Sequence, residues 1–340
     1  MRPTLAEETE RLKKSWMQHD SAMLRDYMVA DIHDPRINPQ SILGRHFLIE
    51  ALFSERFSAL CMEELRFSTV VPWLRTLAGE AIDADEAVVI EHALKLGADN
   101  AEGRPIPSHV IHAFNQMPVK PDGSGVPNHV HQFFQSITDG APAALALEKT
   151  FGALETVWRA ALADVDGSRI SVLEPACGSA NDYRTLESCG LARFLEYTGF
   201  DLCEKNVTNA RQMFPAARFE VENVFELPYS DKAFDCCVVH DLLEHLSIEG
   251  METALAELCR VTRRGISVGF FQMHQGPDHI VRPLEDYHWN TLSLPQVYEL
   301  FARHGAKVQA MHINTFLNTC FGCADGCYYD SAYTLCVRFD

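Results

Sequence analysis

Val172-Leu173-Glu174-Pro175-Ala176-Cys177-Gly178-Ser179-Ala180 joins a short apolar run to a helical pattern, and its reading decides the fold of the second half of the chain. A strand that turns tightly into a helix needs small residues where its backbone approaches a ligand, and it leaves free amides at the helix start. Gly178 is the only glycine here. Ala176 and Ala180 occupy the flanking positions and are small enough for the turn if their φ angles stay negative. From Ile170 onward, short apolar runs alternate with helical patterns, as in βαβ units on a parallel sheet. Strands are predicted at 170–176, 195–201, 217–222, 235–240 and 265–272. Lys307 to Asn314 and Ala332 to Phe339 read as two more, with no helix-length pattern between them, and so pair antiparallel at the end of the sheet. Ser293 and Gln296 are spaced as a capping box, with Pro295 in the first turn and Gly305 closing the helix.

Upstream of Ile170 the alternation is missing and the patterns are mainly helical. Thr4 and Glu7 form a capping-box spacing ahead of Leu5, Leu12, Trp16, Leu24 and Met28, which predicts one long amphipathic helix. After a break at Asp34-Pro35-Arg36-Ile37-Asn38-Pro39, helices are predicted from Ile42 to Phe53, Phe57 to Leu77 and Ala84 to Leu96. The stretch from Gly103 to Gly140 is rich in Pro and Gly and carries His109, His112, Asn115, Gln116, His129, His131 and Gln132. It reads either as a substrate lid or as a solvated linker. Leu147, Phe151, Leu154, Trp158 and Leu162 then form one helical stripe that should pack on the sheet. The expected division is a helical region at 1–142, for dimerisation and active-site closure, and a catalytic domain at 143–340.

An ordered series follows the glycine loop. Asp201 ends the second strand in Gly199-Phe200-Asp201-Leu202, where an acid can accept both hydroxyls of a ribose. Glu222-Asn223-Val224 follows the third strand, and Leu227-Pro228-Tyr229 and Ala233-Phe234-Asp235 lead into the fourth. That strand ends Val239-His240-Asp241-Leu242-Leu243-Glu244-His245-Leu246. In this order the series resembles class I S-adenosylmethionine-dependent methyltransferases, over roughly 150–340. The resemblance implies an α/β, Rossmann-like, seven-stranded domain with S-adenosyl-L-methionine as cofactor and S-adenosyl-L-homocysteine as product. It places Glu174, Ala176, Cys177 and Gly178 against the methionine part, Asp201 and Leu202 at the ribose, and Asn223 and Val224 beside adenine. His240 and Asp241 then lie near the sulfonium. His240 reads equally as a wall residue or as a proton acceptor, and His245, a helical turn later, as a packing residue.

"EPACGS" also resembles the loop of DNA adenine-N6 methyltransferases. Those enzymes follow strand four with an Asn/Asp-Pro-Pro-aromatic segment, whereas this chain has His240-Asp241-Leu242-Leu243. A formal charge of −18 without a basic patch also repels polyanions, so no nucleic-acid partner is expected. No apolar stretch approaches a membrane span, and Thr4, Glu7, Glu8, Glu10, Lys13 and Lys14 interrupt any signal-peptide core. The expectation is a cytoplasmic protein with a small-molecule substrate, and a homodimer. Eleven cysteines, an odd count without a secretion signal, argue against a disulfide framework. Cys320, Cys323 and Cys327 lack the two close pairs of a tetrahedral zinc site, and no metal is expected.

After strand five, Asp278-His279-Ile280-Val281-Arg282 and Asp286-Tyr287-His288-Trp289-Asn290 fall at the ligand-binding edge of the sheet. Arg282 could clamp a carboxylate, and Tyr287 or Trp289 could shield a cation; ordinary loop packing is the other reading. An oxygen or ammonium acceptor needs a base such as His240, His279 or His131, whereas a thioether has no proton to lose. The stretch Asp34 to Ile49, ahead of a domain of this kind, resembles bacterial methylthiohydroxybutyrate S-methyltransferases of the DsyB type. That likeness implies methylation of 4-methylthio-2-hydroxybutyrate in dimethylsulfoniopropionate synthesis, with Arg282 for the carboxylate and His129 or Gln132 for the hydroxyl. The alternatives are an O- or N-methyltransferase of natural-product synthesis and a cofactor-binding pseudoenzyme acting through a protein partner.

Overall fold

The apolar runs after Ile170 form strands β1 (Ile170–Pro175), β2 (Leu195–Asp201), β3 (Arg218–Val221), β4 (Phe234–His240) and β5 (Thr262–Phe270). Two short strands follow, β6 (Met273–His274) and β7 (Leu292–Ser293), and the chain ends on β8 (Ala306–His312) and β9 (Tyr333–Phe339). The structure is a computed structural model that describes residues 4–27, 39–62, 64, 65, 155, 157–321 and 328–339. The main sheet is seven-stranded in the order β3-β2-β1-β4-β5-β9-β8. Its first five strands are parallel, and β9 runs antiparallel to both β5 and β8. The expected Rossmann-like α/β sheet is therefore present, with the antiparallel pair at its end.

Successive residues of a strand point to opposite faces, and each face has its own core. Cys237 and Leu173 pack with Met251 and Leu255 of α6 (Ile248–Val261) and Val297 and Phe301 of α7 (Leu294–Arg303). Cys236 and Val172 pack on the other face with Leu186 of α4 (Asn181–Ser188) and Val207 of α5 (Glu204–Met213). Trp158, fully buried in the helical stretch 157–163, joins that second core, as the predicted stripe requires. Adjacent buried cysteines thus serve two cores as small apolar groups, and the described cysteines are free thiols.

The capping-box reading holds at Thr4; at Ser293 only the hydroxyl half forms, because the Gln296 side chain donates to the Pro277 carbonyl and the Ser293 amide to His279. Thr4 and Glu7 cap α1 (Leu5–Met17) reciprocally, and the Ser293 hydroxyl accepts the Gln296 amide at the start of α7. Gly305 follows α7 with φ +72°, a left-handed position where glycine is favoured. Two expectations are corrected. The first helix does not run on to Met28: it stops at Met17, and Asp20 accepts the amides of Ala22 and Met23 to start α2 (Ser21–Tyr27). The connection between the last two strands holds a helix, α8 (Ile313–Phe321), packed through Ile313 and Leu317 on Ile42 and Leu65. The helices predicted beyond Leu65, and the stretch from Gly103 to Gly140, lie outside the described residues. Among the described residues no helix is long and apolar enough to cross a membrane.

α3 (Pro39–Phe53) is buried along most of its length, polar Gln40, Arg45 and His46 included, and lies on the sheet face against β4, β5, β9 and α4. Burying Ile42, Phe47, Leu48 and Ile49 stabilises this docking by roughly 1.5–3 kcal/mol per side chain. The same helix carries Arg45 and His46 into the interior, where both meet Glu64. Trp158 Nε1 donates to the same carboxylate at 3.1 Å. Burial alone would raise the Glu64 pKa, but the Arg45 guanidinium and the His46 ring bring it down to about 2. A depressed carboxylate stabilises the fold above its ordinary pKa of 4.5 and loses that contribution as pH falls towards 2. Urea denaturation should therefore show on the order of 3 kcal/mol of acid-dependent stability in this window, and Glu64→Gln should flatten that slope.

Candidate functional site

The carboxyl ends of β1, β2 and β4 converge on the turn that leads from β1 into α4. Ala176, Gly178 and Ala180 all have left-handed backbones, with φ of +52°, +54° and +67°. The expectation of negative angles at the two alanines is thus corrected. The chain must reverse within five residues while Cys177 N–H donates to the Phe200 carbonyl and Gly178 N–H to Asp201 Oδ2, both at 3.0 Å. Each left-handed alanine costs about 1–2 kcal/mol, so strain is built into this loop.

Asp201 is buried at the end of β2, and its Oδ1 accepts the Cys203 amide at 2.7 Å. Burial pushes its pKa up, and the bonds from Cys203, Asn206 and Gly178 pull against that rise. Beside it Glu174 accepts the Tyr197 hydroxyl at 2.6 Å. Burial, then the Asp182 and Asp201 carboxylates, hold Glu174 well above the usual carboxylate range. A small cavity between α3, β1 and α4 is lined by Glu174, Asp182, Tyr197 and Gly44. Asp201 keeps a lone pair for a ribose diol, and a cationic ligand such as S-adenosylmethionine, with its ammonium and sulfonium, would favour loss of the proton from Glu174. The residues present therefore suit the cofactor.

α1 lies across the same edge. Glu8, buried, accepts the Ser247 amide at 2.6 Å and its hydroxyl at 2.5 Å at the start of α6, where a carboxylate suits the helix dipole. Asn223 Nδ2 donates to Thr9 Oγ1 at 3.1 Å, and Met17 Sδ meets Cys203 Sγ at 3.8 Å. Val224, next to Asn223, is buried. The N-terminal helix thus closes over the ends of β2 and β3.

His240 ends β4 in a tight slot. Its Nδ1–H donates to Asp182 Oδ2 at 2.5 Å. A Cβ on Gly44 of α3 would lie 2.8 Å from Nε2, and one on Gly269 of β5 would lie 2.7 Å from Cδ2. Nε2 is buried without a hydrogen-bond partner among the described residues. Burial lowers the His240 pKa, but Asp182 more than offsets this and raises it overall. Next in the chain, Asp241 has φ +50° and an exposed carboxylate 2.9 Å from His245 Nε2. His245 also sits against Tyr287 and Trp289, at ring-centroid distances of 5.6 and 5.1 Å. Glu244 is buried, its Oε1 accepts the Phe271 amide, and burial followed by Asp241 pushes its pKa up to about 7.

The candidate substrate residues separate. Tyr287 lies at this edge beside His245. Arg282 is exposed, and its backbone amide donates to Asn290 Oδ1. His279 faces inward: its Nδ1 accepts the Ser293 amide at 2.9 Å, and Nε2 is buried without a partner among the described residues. This is loop packing. His129, His131 and Gln132 lie outside the described residues. Sequence reasoning missed Asp182, Tyr197, Gly44 and Glu244. The first three come from elements that only the fold brings to the edge. Glu244 did leave a signal, the i, i+3, i+4 spacing Asp241-x-x-Glu244-His245.

Residues 173–268 match the profile of a family described as "Methyltransferase domain". No curated protein matches the chain. Among solved structures, the chain is similar to the [4+2]-cyclase SpnF, at 14% identity over 57% of this chain and 83% of that one, with a TM-score of 0.38. It is similar to Burkholderia thailandensis 1,6-didemethyltoxoflavin-N1-methyltransferase, at 15% identity over 55% and 76% of the two chains and a TM-score of 0.38. A third similar structure is magnesium protoporphyrin IX methyltransferase from Synechocystis PCC 6803, at 14% identity over 63% and 90%, with a TM-score of 0.36.

Replacing a left-handed alanine by glycine removes the steric cost of its Cβ. Ala176→Gly should therefore raise unfolding stability by ~1 kcal/mol, seen as a higher midpoint in thermal or urea denaturation.

Proposed function

We propose that this S-adenosylmethionine-dependent methyltransferase acts on the thioether sulfur of a small 2-hydroxy acid, with 4-methylthio-2-hydroxybutyrate, of dimethylsulfoniopropionate synthesis, as the acceptor. The observation that carries this reading is the enclosure of His240. Its Nδ1 is committed to Asp182, and its Nε2 is shut in by Gly44. A ring held in this way shapes the edge but cannot take an acceptor's proton unless α3 withdraws. His279 is no better placed, because one nitrogen accepts the Ser293 amide and the other is buried. An oxygen or ammonium acceptor needs a base within hydrogen-bond reach, and a thioether needs none.

The bound cofactor supplies an electrophilic methyl group on a positively charged sulfur. The chain's part is then mainly to hold the reactants in line, roughly 3 Å apart. The Asp201 carboxylate, with two backbone amides and the Asn206 side chain already bound, keeps a lone pair for the ribose hydroxyls. Asn223 and Val224 would flank adenine, and the turn from Glu174 to Gly178, with Leu202, would enclose the rest. Aromatic surroundings at Tyr287 and Trp289 suit a sulfonium product, and exposed Arg282 is available to the acceptor's carboxylate. Trp16 and Met23, exposed on α1 and α2, support pairing with a second copy through the segment before Phe53. A monodisperse monomer in light scattering would remove that part.

Release of S-adenosylhomocysteine across a panel of thioether, hydroxy and amino acids tests the acceptor, and turnover should require the thioether. Single-turnover rates should stay nearly flat across neutral pH. His240→Asn should slow transfer less than about tenfold, whereas loss of a general base costs roughly 10²–10⁴-fold; a larger fall would favour an O- or N-acceptor. Asp201→Ala should weaken cofactor binding by about tenfold or more in calorimetry, since charge-assisted bonds are among the stronger ones.

A further inference from the structure

Asp241, Glu244 and His245 follow β4 on one turn, and one ligand atom from each lies within 4.8 Å of the others. Their surroundings are arranged as a metal site's are. His245 Nδ1 faces the His288 carbonyl oxygen at 3.2 Å, a contact that only an N–H satisfies, so Nε2 is the nitrogen left to coordinate. That Nε2 lies 2.9 Å from Asp241 Oδ1, close to the ~3 Å between neighbouring ligand atoms when each is ~2.1 Å from a metal. Glu244 is 1% exposed; its Oε1 is fixed by the Phe271 amide. Its Oε2 is buried with no hydrogen-bond partner among the described residues. An unpaired buried carboxylate oxygen is costly, and it is a ready ligand. Neither acid is ion-paired to a lysine or arginine among the described residues. The turn is braced from outside, since the amides of His288 and Asn290 donate to the carbonyls of His245 and Glu244, both at 3.0 Å.

We propose that Asp241, Glu244 and His245 bind one divalent first-row metal cation, which chelates the 2-hydroxyl and one carboxylate oxygen of the acceptor and leaves the other carboxylate oxygen to Arg282. Two carboxylate oxygens and an imidazole suit Mn²⁺, Fe²⁺, Co²⁺ or Zn²⁺, and three protein ligands leave positions open. The exposed side of Asp241 gives those positions access to a small molecule. A 2-hydroxy acid closes a five-membered ring on such an ion, which anchors one end of the acceptor and leaves its thioether free. The chelation half rests on the acceptor reading above; the ion-binding half does not.

The test uses full-length protein stripped with chelator and titrated with MnCl₂, with free Mn²⁺ followed by its electron paramagnetic resonance signal. One ion per chain is expected, with affinity reduced at least tenfold in Glu244→Gln and in His245→Gln, while circular dichroism and thermal melting verify folding. Absence of stoichiometric binding, or equal binding by both folded variants, would overturn the site. Adding 4-methylthio-2-hydroxybutyrate should tighten Mn²⁺ binding about tenfold, and 4-methylthiobutyrate, which lacks the hydroxyl, should not. Ion binding with no response to a hydroxy acid that is nevertheless methylated overturns chelation alone. Ion binding with an acid that is neither methylated nor felt by the ion keeps the site and overturns the acceptor.

Discussion

One buried carboxylate organises the ligand edge of this protein. Asp201 takes the Gly178 amide with one oxygen and the Cys203 amide with the other, which ties the end of β2 to the turn after β1. The turn is strained at Ala176 and Ala180, and such backbones persist only where their surroundings over-determine them. Asp201, the Cys177–Phe200 bond and the close packing of Cys177 and Ala180 provide that constraint. The position of Asp182 at the start of α4 follows from the turn. The His240 slot follows from Asp182.

The first half of the chain completes this edge from two directions. α1 crosses it through Glu8, Thr9 and Met17, and α3 covers the sheet face behind it, where Gly44 makes room for His240. The Arg45–Glu64 ion pair, with His46 hydrogen-bonded to the same carboxylate, fixes the rotation of α3, because a buried charge left unpaired is costly. Stability and site geometry are therefore carried by the same helix.

Histidines at the edge divide by what their second nitrogen meets. In His240 it meets a helix backbone, and in His279 it is buried. In His245 one nitrogen meets a carbonyl and the other a carboxylate. The residue whose sequence position suggested catalysis is the enclosed one, and the residue read as packing stands at the edge beside Tyr287 and Trp289.

The strands of the main sheet, the parallel direction of the first five, the antiparallel pair at the sheet's end, the capping box at Thr4 and the helix start at Ser293 were legible in the sequence. Each follows from local periodicity or spacing, which the chain carries within a few residues. The acidic strand end at Asp201 was legible for the same reason. Tertiary structure alone decided the left-handed alanines, since their dihedrals answer to hydrogen bonds from β2, and the break after Met17, where α1 must turn onto the sheet edge. It also decided the accessibility of each histidine. His240 and its neighbours Gly44, Asp182 and Gly269 are scattered along the chain, and only packing of the sheet and its helices brings them together.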